Sequence, residues 1–335
     1  MNEHQLNIEP EYEATGSGVC GVLKTGLLLV GAAVAGAAVA NALIASNTPN
    51  IGTRLSGVLN RVPLRYGDAA YMVGGSGSPI LLLHAPRPGN SSTEWEENFD
   101  ALSQHHTVYA LDFLGWGLSD KPRHVLRPND YIEQIRDFAE NVIGEKCAVI
   151  ASGEAAVYAL HAAERAPELF SGLALVCPTD HIESDAPSEP LANPEERNLL
   201  YKLFTLPVIG TALSNWLTAR PQLESNAQGN LFFEPAQVTP GRISRMHIAA
   251  HQPAAQQAHA AYFSGLLGIN WRAVWSNLEL PTLLVWGRNA PEFINAPEWL
   301  ALKPDARLEV FDNAQLLPHV EHAGDFNQRI LKWLG

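Results

Sequence analysis

Beyond residue 60 the chain alternates unbroken apolar runs with segments whose apolar residues recur every three to four positions. "PILLLHA" (79–85), "TVYALDF" (107–113), "CAVIAS" (147–152), "SGLALVCP" (171–178), "PTLLVWG" (281–287) and "RLEVFD" (307–312) are the runs. Such a run predicts a strand covered on both faces, because a strand with one wet face would alternate. Between the runs, Tyr131, Ile135, Phe138 and Val142 recur at helical spacing, and Ala155 to Ala163 form a small-residue helix. Another helix is predicted near 296–302, and Phe326, Ile330 and Trp333 share one face of a last one. "VPLRY" and "AAYMVGG" flank Gly67-Asp68, which predicts an opening hairpin. Repeated strand–helix units with buried strands mean an α/β fold: a mostly parallel sheet with helices on both faces.

Two stretches break the pattern. Residues 178–281 are helical in composition and rich in large aromatics: Tyr201, Phe204, Trp216, Phe232, Phe233, Tyr262, Phe263, Trp271 and Trp275. Most of these predict the insertion's own core, and the rest would line an apolar pocket between insertion and sheet. At the other end, Thr25 to Ala45 is a 21-residue stretch without charge, about the length that crosses a hydrocarbon core. Ala32, Gly36 and Ala40 recur at the four-residue spacing of close helix packing in membranes. An acidic tail (1–24) precedes this anchor segment and a linker (46–60) follows it. Arg54, Arg61 and Arg65 come before the first acid, Asp68, so the positive-inside bias places the main domain in the cytoplasm. A signal peptide cleaved near "ANA" (40–42) and an apolar helix packed on the domain are the rival readings. Glu3, Glu9, Glu11 and Glu13 oppose the signal peptide, which wants a basic start.

Composition narrows the function classes. At 335 residues, 46% apolar and 17% charged, the chain can bury a large core. A net charge of −13 excludes a phosphate-tracking nucleic-acid binder. Cys20, Cys147 and Cys177 show neither metal-ligand nor CxxC spacing, so reduced core thiols are expected, with no metal and no cofactor.

The stretch "PILLLHAPRPGNSSTEWEENFDALSQHHTVYALDFLGWGLSDKP", together with "LLPHVEHAGDF", resembles the α/β-hydrolase family, most closely its pheophytinase-like bacterial and chloroplast members. The likeness implies a core of residues 61–177 and 282–335, with a helical cap (178–281) inserted after the sixth strand. It also implies a mechanism: a nucleophile on a strained strand-to-helix turn, Sm-x-Nu-x-Sm, a His, an acid, and two backbone N–H groups for the oxyanion.

Each of those parts can be sought by position. "VIASGEAA" places Ala151 and Ala155 at the small positions and Gly153 at the nucleophile; a register with Ser152 there would put Ile150 and Glu154 where sterics want small residues. "WGRNAPEF" has Ala290 at the acid position, and "AQLLPHVE" has Leu316 at the His position. His319 lies about one turn on and reads as a helix-start or surface residue. His84-Ala85-Pro86 stands where the family has H-G-x, and proline has no N–H to donate. One lost donor costs roughly 2.7–4 kcal/mol of transition-state stabilisation. His84 itself reads as a buried structural residue.

The expectation is a catalytically degenerate, membrane-tethered hydrolase-fold protein. It would bind an apolar small molecule or a membrane-protein partner, with Gly153, Glu154, Pro86, Leu316 and Gln315 around the ligand and no catalytic residue. The alternative is a hydrolase of an apolar ester-like substrate that uses Ser152, His319, Asp180 or Glu154 in new roles.

Overall fold

The computed structural model describes residues 16–179 and 199–335, with side chains from Gly31 onward. Asp180, the candidate substitute acid, lies outside the described residues. Strands β1 (Val58–Leu64), β2 (Gly67–Gly74), β3 (Pro79–Leu83), β4 (Thr107–Leu111), β5 (Cys147–Ser152), β6 (Phe170–Val176), β7 (Thr282–Gly287) and β8 (Arg307–Phe311) form one sheet. Its order is β1-β2-β4-β3-β5-β6-β7-β8. β1–β2 and β2–β4 pair antiparallel, and every later pair is parallel. The unbroken apolar runs are the central strands: β3, β5 and β7 are buried at every position.

Two details of the opening differ from the sequence pattern. The hairpin turns at Arg65-Tyr66, with Leu64 already opposite Gly67 and Pro63 opposite Asp68. Gly67-Asp68 therefore belongs to the ladder, and the Asp68 N–H donates to the Asp120 carboxylate. β1 also begins at Val58, inside the stretch read as linker. It is an edge strand with exposed and half-buried positions only, so no apolar period announced it.

Helices α1 (Gly16–Asn47), α2 (Phe99–Ser103), α3 (Pro128–Phe138) and α4 (Glu154–Arg165) precede the insertion. The described part of the insertion is helical: α5 (Leu199–Thr205), α6 (Ile209–Leu217), α7 (Arg220–Asn226), α8 (Pro240–Ala250), α9 (Gln256–Phe263) and α10 (Arg272–Asn277). Then α11 (Ala296–Leu302), the short α12 (Pro318–Glu321) and α13 (Ala323–Leu334) complete the chain. Tyr201 and Phe204 are buried within the insertion, Phe232 packs with Leu317 and Val320, and Trp271 and Trp275 join the main core against Trp299, whereas Trp216 is 60% exposed and Phe233 37% exposed.

Among the described residues no helix is long and apolar enough to cross a membrane. The C-terminal half of α1 instead lies against α6. Asn41 Nδ2 donates to the Val208 carbonyl at 2.9 Å, and Asn215 Nδ2 donates to Asn41 Oδ1 at 3.0 Å.

Asp112, just after β4, organises the loop that shapes the site. Its carboxylate accepts from the Ser92 N–H at 2.6 Å and the Leu118 N–H at 2.7 Å. Gly117 (φ +50°) is required there: a Cβ on it would stand 2.2 Å from Asp112 Oδ2. His84 is fully buried behind this loop, its Nε2 accepting from the Phe113 N–H, as a structural residue should be.

Candidate functional site

β5 runs into α4 through Gly153, whose backbone angles are φ +57°, ψ −131°. An L side chain rarely tolerates that region, and here it turns the chain sharply from strand to helix. The turn is fixed from both sides. The Gly153 N–H donates to the Val176 carbonyl at 2.9 Å, and its carbonyl accepts from the Ala156 and Thr179 N–H groups. Ala151 and Ala155, the small positions, are fully buried. Gly153 thus stands at the apex of the strand-to-helix turn, flanked by the buried Ala151 and Ala155.

The opposite wall has changed with it. A Cβ built on Gly153 would lie 2.9 Å from the methyl carbon of Ala85. Two real carbon atoms do not approach so closely, and a methyl on backbone has no rotamer by which to retreat. Beside it, the Arg87 N–H donates to the Ala85 carbonyl at 2.9 Å across Pro86, a three-residue turn that suits proline's fixed φ. This turn carries Arg87, not Pro86, over the elbow.

A cavity of about 180 Å³ opens above Gly153. Gly153, Glu154 and Leu316 line it, as the sequence led us to expect; Pro86 and Gln315 do not. Pro86 is turned into the protein by the Ala85–Arg87 turn. Gln315 is held from its backbone: its N–H donates to Glu321 Oε1 at 2.8 Å and its carbonyl faces Cys177 Sγ at 3.6 Å. The lining is mixed, part apolar and part polar. Arg87, Glu154, Thr179, Asn226, Asn230, Tyr262 and Glu292 contribute to the wall beside Leu231, Pro291, Leu316 and Cys177. Position 290 leaves only a buried methyl, and the nearest acid on that turn, Glu292, lines the cavity two residues later. Burial pushes the Cys177 thiol far above the usual range.

Beneath the cavity lies a polar cluster that sequence reasoning missed, centred on Glu94. Its Oε1 accepts from Ser152 Oγ and faces His319 Nε2 at 3.1 Å; its Oε2 accepts from Asn90 Nδ2 and from Arg87 Nη2 at 3.0 Å. Against an ionised carboxylate, Nε2 of His319 can only donate. Burial pushes the Glu94 carboxyl up, but the Arg87 guanidinium, His319 and Ser152 together outweigh burial and hold it far below the usual range. His319 stands at the start of α12, as one of its expected readings had it, but is fully buried rather than at the surface, its ring tilted against Trp95 with centroids 4.4 Å apart. Asn98 Nδ2 donates to the His319 carbonyl at 2.9 Å, so residues 90–98 grip α12 from one side. The acids and amides of "NSSTEWEEN" gave no period to mark Glu94 as buried.

The cluster lacks the geometry of a serine–imidazole pair. In a nucleophile–base pair the serine donates to the imidazole. Here Ser152 and His319 both point at the same carboxylate, and Ser152 is 1% exposed and does not line the cavity. Glu154, the other candidate for displaced chemistry, lies in the cavity, apart from these two. Among the described residues, no group of His, Cys, Asp and Glu is placed to hold a metal ion.

Comparison with known proteins agrees with this architecture. The chain superposes on the serine hydrolase CarC of carbazole degradation with a TM-score of 0.66 at 18% identity, over 83% of this chain and 99% of that one. Carboxylesterase CesB from Bacillus subtilis gives 0.63 at 18% identity, over 90% and 98%. An uncharacterized protein of Mycobacterium tuberculosis is 30% identical over 145 residues, 43% of this chain and 38% of that protein. The match thus spans less than two fifths of the mycobacterial relative. A pimeloyl-acyl-carrier-protein methyl ester esterase of Aliivibrio fischeri is 23% identical over 265 residues, 78% of this chain and 95% of the esterase. With the sheet order, the inserted cap and the strained turn at Gly153 in place, and with the model of the alpha/beta hydrolase family matching residues 80–329, the chain belongs to the alpha/beta hydrolase family.

Proposed function

We propose that this protein uses the hydrolase scaffold to hold a small molecule over the elbow rather than to hydrolyse it, and that it does so tethered to a membrane by α1. The observation that carries the reading is the pair Gly153 and Ala85. The nucleophile position has no side chain, and the space one would need is taken by a methyl group. Leu316 and Ala290, where the family's His and acid are expected, and Pro86, where its second oxyanion donor is expected, complete the loss. The related proteins named as hydrolases and esterases supply the scaffold's ancestry, not an activity for this chain.

The ligand is small and amphipathic. A cavity of about 180 Å³ takes a compact molecule, and its wall offers Leu231 and Leu316 for an apolar part and Arg87, Glu154, Glu292 and the asparagines for a polar group. Native mass spectrometry of the full-length protein, followed by extraction and identification of what it releases, tests this. A bound small molecule in the wild type that is lost in Leu316→Trp, which fills the cavity, supports it. An empty wild-type protein contradicts the binding half of the proposal.

A further inference from the structure

The cap carries an apolar face that its own fold does not cover. On α5, Leu199 (71% exposed) and Leu203 lie four residues apart, and on α6 Ile209 and Trp216 (60% exposed) lie seven apart, so each pair shares one side of its helix. The opposite sides of these helices pack inward: Tyr201 and Phe204 of α5 are buried against Ala260 of α9, with Leu213 and Leu217 of α6 beside them. α1 adds Val39 and Leu43, both exposed, and Asn41 fixes that helix against α6.

The charge pattern selects the occupant. From Thr25 to Thr53 there is no charged residue, so the described part of α1 offers Val39 and Leu43 to its surroundings with no charge beside them. In a chain of net charge −13, the described cap residues 199–223 contain no acid and two cations, Lys202 and Arg220. An exposed tryptophan among leucines, with cations beside it and no acids, is the composition of a surface that sits in the interface of an anionic bilayer. We infer that the α5–α6 face of the cap docks on an anionic lipid bilayer alongside α1, so that the membrane contacts the cap and not only the tether. This deepens the membrane-tether reading given above.

The test uses the full-length protein and vesicles of phosphatidylcholine alone or in equal parts with phosphatidylglycerol, with brominated chains to quench embedded tryptophan. The proposal expects binding, quenching of part of the emission, and loss of that part in Trp216→Phe. Lys202→Gln should weaken binding to the phosphatidylglycerol vesicles roughly fivefold and leave the phosphatidylcholine vesicles unaffected. Leu203→Glu with Ile209→Glu should weaken binding to both roughly tenfold. Vesicle binding with quenching identical in wild type and Trp216→Phe overturns the cap-face proposal and leaves the tether standing. No binding to either vesicle overturns both. A Leu203→Glu/Ile209→Glu protein that sediments as monomer where the wild type is a dimer without vesicle affinity shows that a second copy covers the face, and overturns it too.

Discussion

The methyl carbon of Ala85 stands 2.9 Å from the point at which a side chain on Gly153 would begin. The elbow has glycine, and the facing loop carries a methyl where the motif of the resemblance has glycine. That relationship leaves little room for a side chain at position 153 by one substitution.

Gly153→Ser should therefore destabilise the protein. A non-glycine residue at φ +57° costs roughly 1–3 kcal/mol, and overpacking against Ala85 adds a similar amount. Gly153→Ser with Ala85→Gly should recover the crowding part, giving a favourable coupling of roughly 1–2 kcal/mol in a double-mutant cycle read by urea denaturation. Additive losses would mean that the loop yields freely and the close approach has no energetic content.

Glu94 should be a stability residue. Glu94→Gln keeps its shape but leaves the mostly buried Arg87 without a counter-charge, and losing one partner of a buried pair costs roughly 3 kcal/mol. Ser152→Ala, which removes one neutral donor to the same carboxylate, should cost roughly 1 kcal/mol. Denaturant midpoints of the two variants check the order of the effects.

Stability should fall in acid from about pH 6.5 downward. His259 is buried, its Nδ1 2.6 Å from Ser214 Oγ, and burial, with His251 and Lys121 adding, pulls its pKa down to about 3. Between the unfolded value near 6.5 and that folded value, the unfolded chain binds the extra proton, so each pH unit lost costs up to about 1.4 kcal/mol. Glu94 acts in a lower window. Its folded pKa is depressed, so its contribution is present above the unfolded value of about 4.3 and is lost as pH falls toward the folded one. His259→Gln should flatten the stability profile between about pH 6 and 4 and leave the steeper fall below pH 4.

Asn41 should hold α1 to the cap. Removing its two hydrogen bonds in Asn41→Ala should loosen that contact by roughly 1–2 kcal/mol, seen as faster amide exchange in α6 without a change in the sheet.

The order of strands and helices was legible because burial on both faces writes itself as unbroken apolar runs such as "PILLL" and "TLLVW". The elbow was legible because its neighbours must be small for steric reasons. The edge strand β1 was not, since edge positions are half wet and carry no period. The burial of Glu94 and its pairing with His319 were missed for a related reason. A polar residue is buried only when partners distant in sequence satisfy it, and here the two meet across 225 positions. The cavity's polarity escaped in the same way. The aromatic content of residues 178–281 suggested an apolar roof, yet Tyr262 is the one aromatic of that set on the cavity wall, beside Asn226 and Asn230.

The most direct test of the central claim is intact-mass analysis of the full-length protein after exposure to a fluorophosphonate, which phosphonylates activated serines. The account predicts an unmodified mass, with no turnover across a broad ester panel. A stoichiometric adduct that disappears in Ser152→Ala would contradict it, because the buried Ser152 would then be a nucleophile and the elbow at Gly153 would not have lost its chemistry.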